Sequence, residues 1–174
     1  GFQFGSRFPG PLPQTVVYDL LPDEQLGRVE NVADFARMLL FDQWTCNTNG
    51  RQVLFVATPH ERRGYRALMV DQGFCFNVEQ WNFPDSPLRG LYHRHRVYAG
   101  VCGWEAFEPC LSRLEALSPS VLDEAAAAVP PEWYNVDTEA MTHLLGQLDH
   151  RRGRIRELLT AVKDSYRQPF PHWS

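Results

Sequence analysis

The stretch FDQWTCNTNGRQVLFV, residues 41–56, is the most informative part of the chain for its fold. It leaves an apolar segment, passes through a turn rich in Asn and Gly, and continues into an unbroken apolar run. One arginine, Arg51, stands there among four uncharged polar residues: Asn47, Thr48, Asn49 and Gln52. Loops held by rigid elements often carry binding groups, so this junction is the first candidate for a functional site. Asn49–Gly50 also has the composition of a helix C-terminal cap, and that alternative stays open.

The segment before this junction is predicted to be helical. Its apolar residues recur at helical spacing, and the helix runs to about Cys46. Asn31 is the predicted N-cap because its side chain can accept a hydrogen bond from a free backbone N–H, and Asp34 in the first turn suits the helix dipole. Further upstream, TVVYDLLP (15–22) predicts a short extended segment, and the Gly- and Pro-rich residues 1–14 predict an irregular lead-in.

The segment after the junction is predicted to form a β-hairpin. VLFVA (53–57) and YRALMV (65–70) are apolar runs of strand length, separated by the polar stretch 58–64. Asp71 directly follows the second run. Residues 71–103 are rich in Gly, Pro and aromatic residues and predict a long irregular segment, and loops of that length are uncommon unless they have a function.

Residues 104–174 are predicted to be mostly helical, ending in a long helix over about 138–166. The predicted caps and breaks of these helices are, in chain order, Ser118 or Ser120, Asp137, Gly146 and Gly153. We therefore expect one α+β domain, mainly α, over residues 1–174. Within it, region 15–103 carries the junction, the hairpin and the long loop.

Charge and cysteine content limit the expected partners. The chain has 17 Lys and Arg residues against 21 Asp and Glu residues, a net charge of −4, so no overall positive field attracts nucleic acid or anionic lipid. The four cysteines contain no CxxC pair and are expected to be buried reduced thiols, which fits a cytoplasmic location. No apolar run approaches the roughly 20 residues that a membrane-spanning helix needs.

The order of these elements resembles a known family. A helix, a polar loop, a β-hairpin, an Asp-x-Gly and a long segment follow one another as in the C-terminal lobe of protein kinases. In detail the chain resembles the HipA-like kinases of bacteria. The residues that fall into the catalytic-loop frame of that family are Asp42, Trp44, Asn47, Arg51 and Asp71. The resemblance implies a kinase-like C-terminal lobe in which the small hairpin lies next to the catalytic loop.

The resemblance also implies a reaction and roles for individual residues. The expected reaction is transfer of phosphate from ATP, with Mg²⁺, to a serine or threonine of a protein. Six residues occupy positions that are functional in the family: Asn49, Asp42 and Arg51 (catalytic), Asn47 and Gln52 (nucleotide-binding) and Asp71 (metal-binding). These roles are carried over from the motif and predict one common site. Asp42, one turn before the loop, is expected to orient loop amides or an arginine rather than to perform chemistry. The alternative for Asp71 is a cap or a pair with Arg51 or Arg66.

Two positions depart from the family pattern. Where the family has an aspartate that accepts or orients the substrate proton, this chain has Asn49, whose amide takes no proton at neutral pH. A second metal-binding position is Leu54, which cannot bind a metal, and the nearby Gln52 is the candidate substitute. The alternatives are a pseudokinase, a kinase with changed roles for Asp42 and Gln52, or a sequence altered to silence activity. Because Gly50 follows it, Asn49 is also chemically prone to deamidation to aspartate.

Lysine is almost absent from the chain. The single one is Lys163, whereas the kinase fold anchors the nucleotide phosphates with a lysine on its N-terminal lobe. A convincing glycine-rich phosphate loop is missing too. We therefore expect the chain to be the C-terminal half of a longer or split protein, with a protein substrate or an N-terminal lobe as partner. The alternative function is a non-catalytic interaction module.

Two basic motifs lie outside the kinase-like frame. HRHR (93–96) has HxH spacing, but no third-ligand pattern accompanies it, so a zinc site is not expected. HRRGRIR (150–156) is expected to be a solvated helix face rather than a contact for RNA or a phosphoryl group.

Overall fold

The computed structural model describes residues 5, 8–10, 15–58 and 64–174. Much of the predicted lead-in 1–14 and of the predicted turn 58–64 lies outside the described residues. The strands are β1 (Val17–Tyr18), β2 (Gln52–Ala57) and β3 (Tyr65–Val70). The α-helices are α1 (Asp23–Leu26), α2 (Asp34–Trp44), α3 (Cys110–Glu115), α4 (Pro119–Ala127), α5 (Thr138–Gly153) and α6 (Ile155–Lys163). Short 3₁₀ segments occur at Cys75–Gln80, His95–Tyr98, Trp104–Phe107 and Pro131–Tyr134.

The sheet is antiparallel, with strand order β1-β2-β3. β2 and β3 form the predicted hairpin, with Val53 opposite Met69 and Phe55 opposite Ala67. Because side chains alternate along a strand, Val53, Phe55 and Ala67 point to one face, where all three are buried. The extended segment predicted over 15–22 supplies β1. A chain that is 46% helical with this small sheet confirms the α+β class.

Asn31 does not cap α2, contrary to the prediction. The N-cap of α2 is Ala33, which makes no side-chain capping bond. The Asn31 amide instead bonds an edge strand: its Oδ1 accepts from Ala67 N at 2.8 Å and its Nδ2 donates to Ala67 O at 2.9 Å. An edge strand leaves a row of unpaired backbone groups. Asn31 satisfies two of them and fixes the start of α2 to β3.

One core joins the two predicted regions of the chain. Phe35 and Leu39 of α2 are buried together with Leu159 and Val162 of α6 in the same apolar cluster, each no more than 1% exposed. Burial of such a side chain typically stabilises the folded state by about 1.5–3 kcal/mol, because its apolar surface leaves water. α2 is therefore held rigidly on one side, and the loop that follows it starts from a fixed point.

The C-terminal helices follow the predicted caps. Ser118 Oγ accepts a hydrogen bond from Ser120 N at the start of α4, and Asp137 Oδ1 accepts one from Ala140 N, 2.9 Å away, at the start of α5. The long predicted helix is divided after Gly153 into α5 and α6 and ends at Lys163. None of the described helices combines the length and the apolar character that crossing a bilayer requires.

Candidate functional site in the loop after α2

The loop begins where α2 ends, at Trp44. Thr45 closes the helix, its N–H donating to Phe41 O, and the next residue, Cys46, turns the chain at φ 53°. The carbonyls of Gln43 and Trp44 accept hydrogen bonds from the guanidinium of Arg151 on α5. Asn49–Gly50 therefore does not cap α2, because the helix ends five residues earlier and other groups satisfy its last carbonyls.

A buried ion pair joins α2 to Arg51, the residue immediately before β2. Arg51 Nε lies 2.9 Å from Asp42 Oδ2 and its second terminal nitrogen lies 2.5 Å from Asp42 Oδ1, and both side chains are at most 1% exposed. Burial raises the pKa of Asp42, and the hydrogen bonds and charge of Arg51 oppose that rise. Such a bidentate pair fixes the carboxylate and the guanidinium relative to each other. The distance between the two ends of the loop is therefore fixed as well.

Asn47 continues this framework into the loop. Its Nδ2 donates to Asp42 Oδ1 at 2.9 Å, and its Oδ1 accepts from the backbone N–H of Asn49 at 3.1 Å. The residue is 2% exposed. Since both ends of its amide are engaged inside the loop, Asn47 sets the backbone position of Asn49.

The same arginine reaches the end of the hairpin. Arg51 Nη1 donates to Val70 O at 2.7 Å, immediately before Asp71, whose φ of 60° turns the chain away from β3. The exposed Asp71 carboxylate accepts from Gln52 Nε2 at 2.7 Å and from Gly73 N at 3.2 Å. The guanidinium of Arg51 therefore holds both Asp42 and the backbone next to Asp71 in position.

A second segment closes the loop from the other side. Gly90 N donates to Asn49 O at 2.8 Å, Arg51 N donates to Leu91 O at 3.1 Å, and the side chain of Arg89 donates to Thr48 O. Residues 89–91 belong to the long segment that was predicted to be irregular. Their hydrogen bonds hold the loop as a neighbouring strand would. The long segment therefore has a structural function here.

Replacing Gly90 by alanine is expected to disturb this arrangement. Its φ is +76°, and an added Cβ would meet the Cβ of Asp42 at 2.5 Å, so the ion pair would have to shift. We expect a loss of about 1–3 kcal/mol in the free energy of unfolding, the usual cost of a strained backbone position. Gly100→Ala is the matched control because an added Cβ meets nothing within 4 Å there. Equal urea midpoints for the two variants would contradict the expectation.

The six predicted site residues are in one place, but they divide into two groups. Asp42, Asn47 and Arg51 are buried, and Asn49, Gln52 and Asp71 form the accessible edge. Asn47 and Arg51 were predicted to be nucleotide-binding and catalytic, and Asp42 was expected to orient loop amides or an arginine rather than to perform chemistry. The oxygens and nitrogens of these three side chains are committed to one another and to the backbone, because they hold the loop and the hairpin end together. In this geometry they are positioning residues.

The thiols close to the loop are not nucleophiles. Burial raises the pKa of both Cys46 and Cys75, so neither is a thiolate at neutral pH. All four cysteines are free, and Cys102 is exposed, contrary to the expectation that each would be buried.

The accessible edge can be tested for its fit to the expected Mg²⁺ and ATP. Asp71 contributes a carboxylate, and Gln52 contributes an amide oxygen that accepts no hydrogen bond from the described residues. Mg²⁺ is commonly held by one or two carboxylates together with substrate phosphates, so these two donors fit a nucleotide-dependent site. The described residues contain no group of three or more His, Cys, Asp or Glu side chains that could hold a metal by themselves. Leu54 pairs with Leu68 inside the hairpin and adds no ligand.

No family model, curated protein or solved structure matches this chain. The function of the chain is therefore inferred from the residues of the loop after α2 and of the hairpin end.

The predicted exposure of Arg151 was wrong, because this residue has a structural role. It was expected to lie on a solvated helix face, yet it is 2% exposed and also contacts Asp85 Oδ1 at 2.7 Å. The available signal was its spacing, since Leu144, Leu148 and Arg151 follow one another at i, i+4 and i+7 on the apolar side of α5. No comparable signal in the sequence pointed to Gly90.

Proposed function

We propose that this chain is a phosphotransferase-type domain, similar to the C-terminal lobe of HipA-like kinases, that acts with Mg²⁺ and ATP on a serine or threonine of a protein once an N-terminal lobe completes it. The observation that supports the proposal most is the double contact of Arg51. It bonds the Asp42 carboxylate of α2 and the Val70 carbonyl that precedes Asp71. This contact aligns the loop with a carboxylate at the end of a hairpin, the arrangement that the resemblance implies.

The accessible residues have separate tasks in this proposal. Mg²⁺, when bound, supplies neutralisation of the charge that spreads over the phosphate oxygens during transfer. Asp71 and the Gln52 amide oxygen would hold it. Asn49, fixed by Asn47 and Gly90, donates or accepts a hydrogen bond that orients the substrate hydroxyl. Its amide takes no proton, so transfer by the unmodified chain is slow.

Asp42 and Arg51 act through the loop rather than on the substrate. Their ion pair sets the distance between α2 and β2, and Arg51 sets the exit of β3. Catalysis by positioning depends on small displacements, so a rigid buried pair is a suitable support. A cytoplasmic location fits both ATP as substrate and reduced cysteines.

A second candidate is a non-catalytic interaction module that binds a protein partner. Two residues favour it: Asn49 lacks the proton acceptor, and Leu54, half-buried in β2, occupies the position of a second metal ligand. Under this alternative the Asp42–Arg51 framework has a purely structural role. The partner is then another protein chain or an N-terminal lobe.

Binding of nucleotide to the full chain separates the two candidates. We expect Mg²⁺–ATP at millimolar concentration to bind the wild-type chain, and Asp71→Ala to lower the affinity by about tenfold or more, because one charge-assisted contact is lost. Asp123→Ala, which removes an exposed carboxylate of α4, is the control and should leave binding unchanged. Isothermal titration calorimetry measures both variants. Equal affinity for the wild-type and Asp71→Ala chains, or no binding by either, would reject the phosphotransferase function.

A further inference from the structure

An open cavity of about 280 Å³ is lined in part by Leu91, a residue of the segment that holds the loop. Its lining combines three basic and three apolar or aromatic side chains: His93, His95, Arg167, Leu88, Leu91 and Tyr166. No carboxylate is among them. We call it the His–Arg cavity.

The His–Arg cavity is next to the candidate site in the fold. Leu91 forms part of its wall, and the carbonyl of the same residue accepts the hydrogen bond from Arg51 N. The preceding residue, Gly90, donates to Asn49 O. The His–Arg cavity and the candidate site therefore share the backbone segment 90–91.

The basic groups of the cavity are not neutralised by the protein. Over residues 15–58 and 64–174, no hydrogen bond or ion pair is formed by the side chains of His93, His95 or Arg167, and Arg167 stacks on the ring of Tyr166 at 5.1 Å. Burial lowers the pKa of His95, and Arg167 and His93 lower it further. The other titratable groups that face the imidazoles are Tyr92 and Tyr98. A guanidinium and two imidazoles around a cavity without a carboxylate provide hydrogen-bond donors that favour an anionic ligand.

We propose that the His–Arg cavity binds a phosphorylated side chain of the protein segment that reaches Asn49. This proposal rests on the proposed function because it names a feature of its substrate. Arg presents a fork of donors that matches phosphate geometry, and two imidazoles can add further donors when protonated. Leu88 and the exposed Tyr166 offer apolar contact to the peptide around the phosphate, which free phosphate does not use.

The proposed binding depends on pH, and the sign of this dependence follows from His95. A dianionic ligand stabilises the imidazolium forms, so binding takes up protons. Because the pKa of free His95 is lowered, the imidazole is neutral at physiological pH and protonates on binding or on acidification. Affinity should therefore be higher near about pH 6.5 than near about pH 8, because a phosphate with a second pKa of about 6 is mostly dianionic at both values.

The test titrates the full chain with a short phosphoserine peptide, its serine and glutamate versions, and inorganic phosphate. We expect the phosphopeptide to bind at least about tenfold more tightly than the other three ligands. His93→Gln and Arg167→Gln replace exposed residues, and each should remove most of that preference, whereas His95→Gln should flatten the pH dependence. Arg113→Gln, an exposed arginine on α3 without an ion pair, is the control. Equal binding of the serine or glutamate peptide, equal binding of inorganic phosphate, or full binding by Arg167→Gln would overturn the proposal.

Failure of this proposal can be told apart from failure of the proposed function. Arg167→Gln should leave Mg²⁺–ATP binding unchanged, and Asp71→Ala should leave phosphopeptide binding unchanged. Loss of phosphopeptide preference with intact Asp71-dependent nucleotide binding would reject the His–Arg cavity alone. Phosphopeptide binding without any nucleotide binding would reject the phosphotransferase function alone.

Discussion

Asn49→Asp is expected to raise the rate of phosphoryl transfer by about 10²- to 10⁴-fold, the usual contribution of a positioned general base. The backbone of Asn49 is held on both sides, by Asn47 Oδ1 at 3.1 Å and by Gly90 N at 2.8 Å. The substitution changes the charge and proton affinity of the side chain with little change in its size. The aspartate is therefore expected to occupy the same position, and incorporation of radiolabelled phosphate into a serine-containing protein substrate measures the gain.

Two control variants test whether an increase in rate comes from the new carboxylate at position 49. Asn49→Ala should show no increase, and adding Asp71→Ala to Asn49→Asp should abolish it, because the new base needs the bound nucleotide. The wild-type sample must be analysed by intact mass before the assay. The Asn49–Gly50 sequence is prone to deamidation and Gly50 is exposed, so part of an aged sample would carry aspartate, together with isoaspartate, at position 49. Bound nucleotide with an unchanged rate in Asn49→Asp would contradict the role of this position.

Asp42→Ala is expected to lower the free energy of unfolding by about 3–5 kcal/mol, the typical cost of removing one partner of a buried ion pair. Arg51 would keep its charge in a site where its side chain is 1% exposed. Asn47 Nδ2 would lose its acceptor as well. Urea denaturation followed by circular dichroism measures the change.

The control for this prediction is an exposed ion pair in the same protein. Glu115 and Arg156 are 37% and 46% exposed and 2.6 Å apart, so Glu115→Ala should cost no more than about 1 kcal/mol. The double variant Asp42→Ala/Arg51→Met should recover part of the loss because it leaves no unpaired charge. A loss in Asp42→Ala as small as in Glu115→Ala would show that the framework does not support the fold.

The hairpin, its ends and the position of Asp71 could be predicted because their signals are local. Two apolar runs bounded by polar residues define β2 and β3, and the residue after the second run is necessarily at the end of the sheet. Capping by Ser118 and Asp137 is equally local, since each bonds a backbone group only two or three residues away. The division of the last helix was indicated by Gly153.

The burial of Asp42 and Arg51 could not be predicted because it depends on distant segments. Gly90 packs against Asp42 from 48 positions away along the chain, and Arg151 bonds the end of α2 from α5. Asn31 failed as a cap for a similar reason, because its partner Ala67 becomes a neighbour only when β3 forms the edge of the sheet. The residue types of the site could thus be selected from the sequence, but their division into supports and accessible groups required the fold.

The most direct test of the central claim is the paramagnetic effect of Mn²⁺–ATP on the backbone amide signals of the full chain in solution. The account predicts selective broadening at Asn49, Gln52, Asp71 and Gly73 in the wild-type protein and its loss in Asp71→Ala. Broadening centred elsewhere, or an identical pattern in the two proteins, would contradict a site in which the loop after α2 and the end of the hairpin act together.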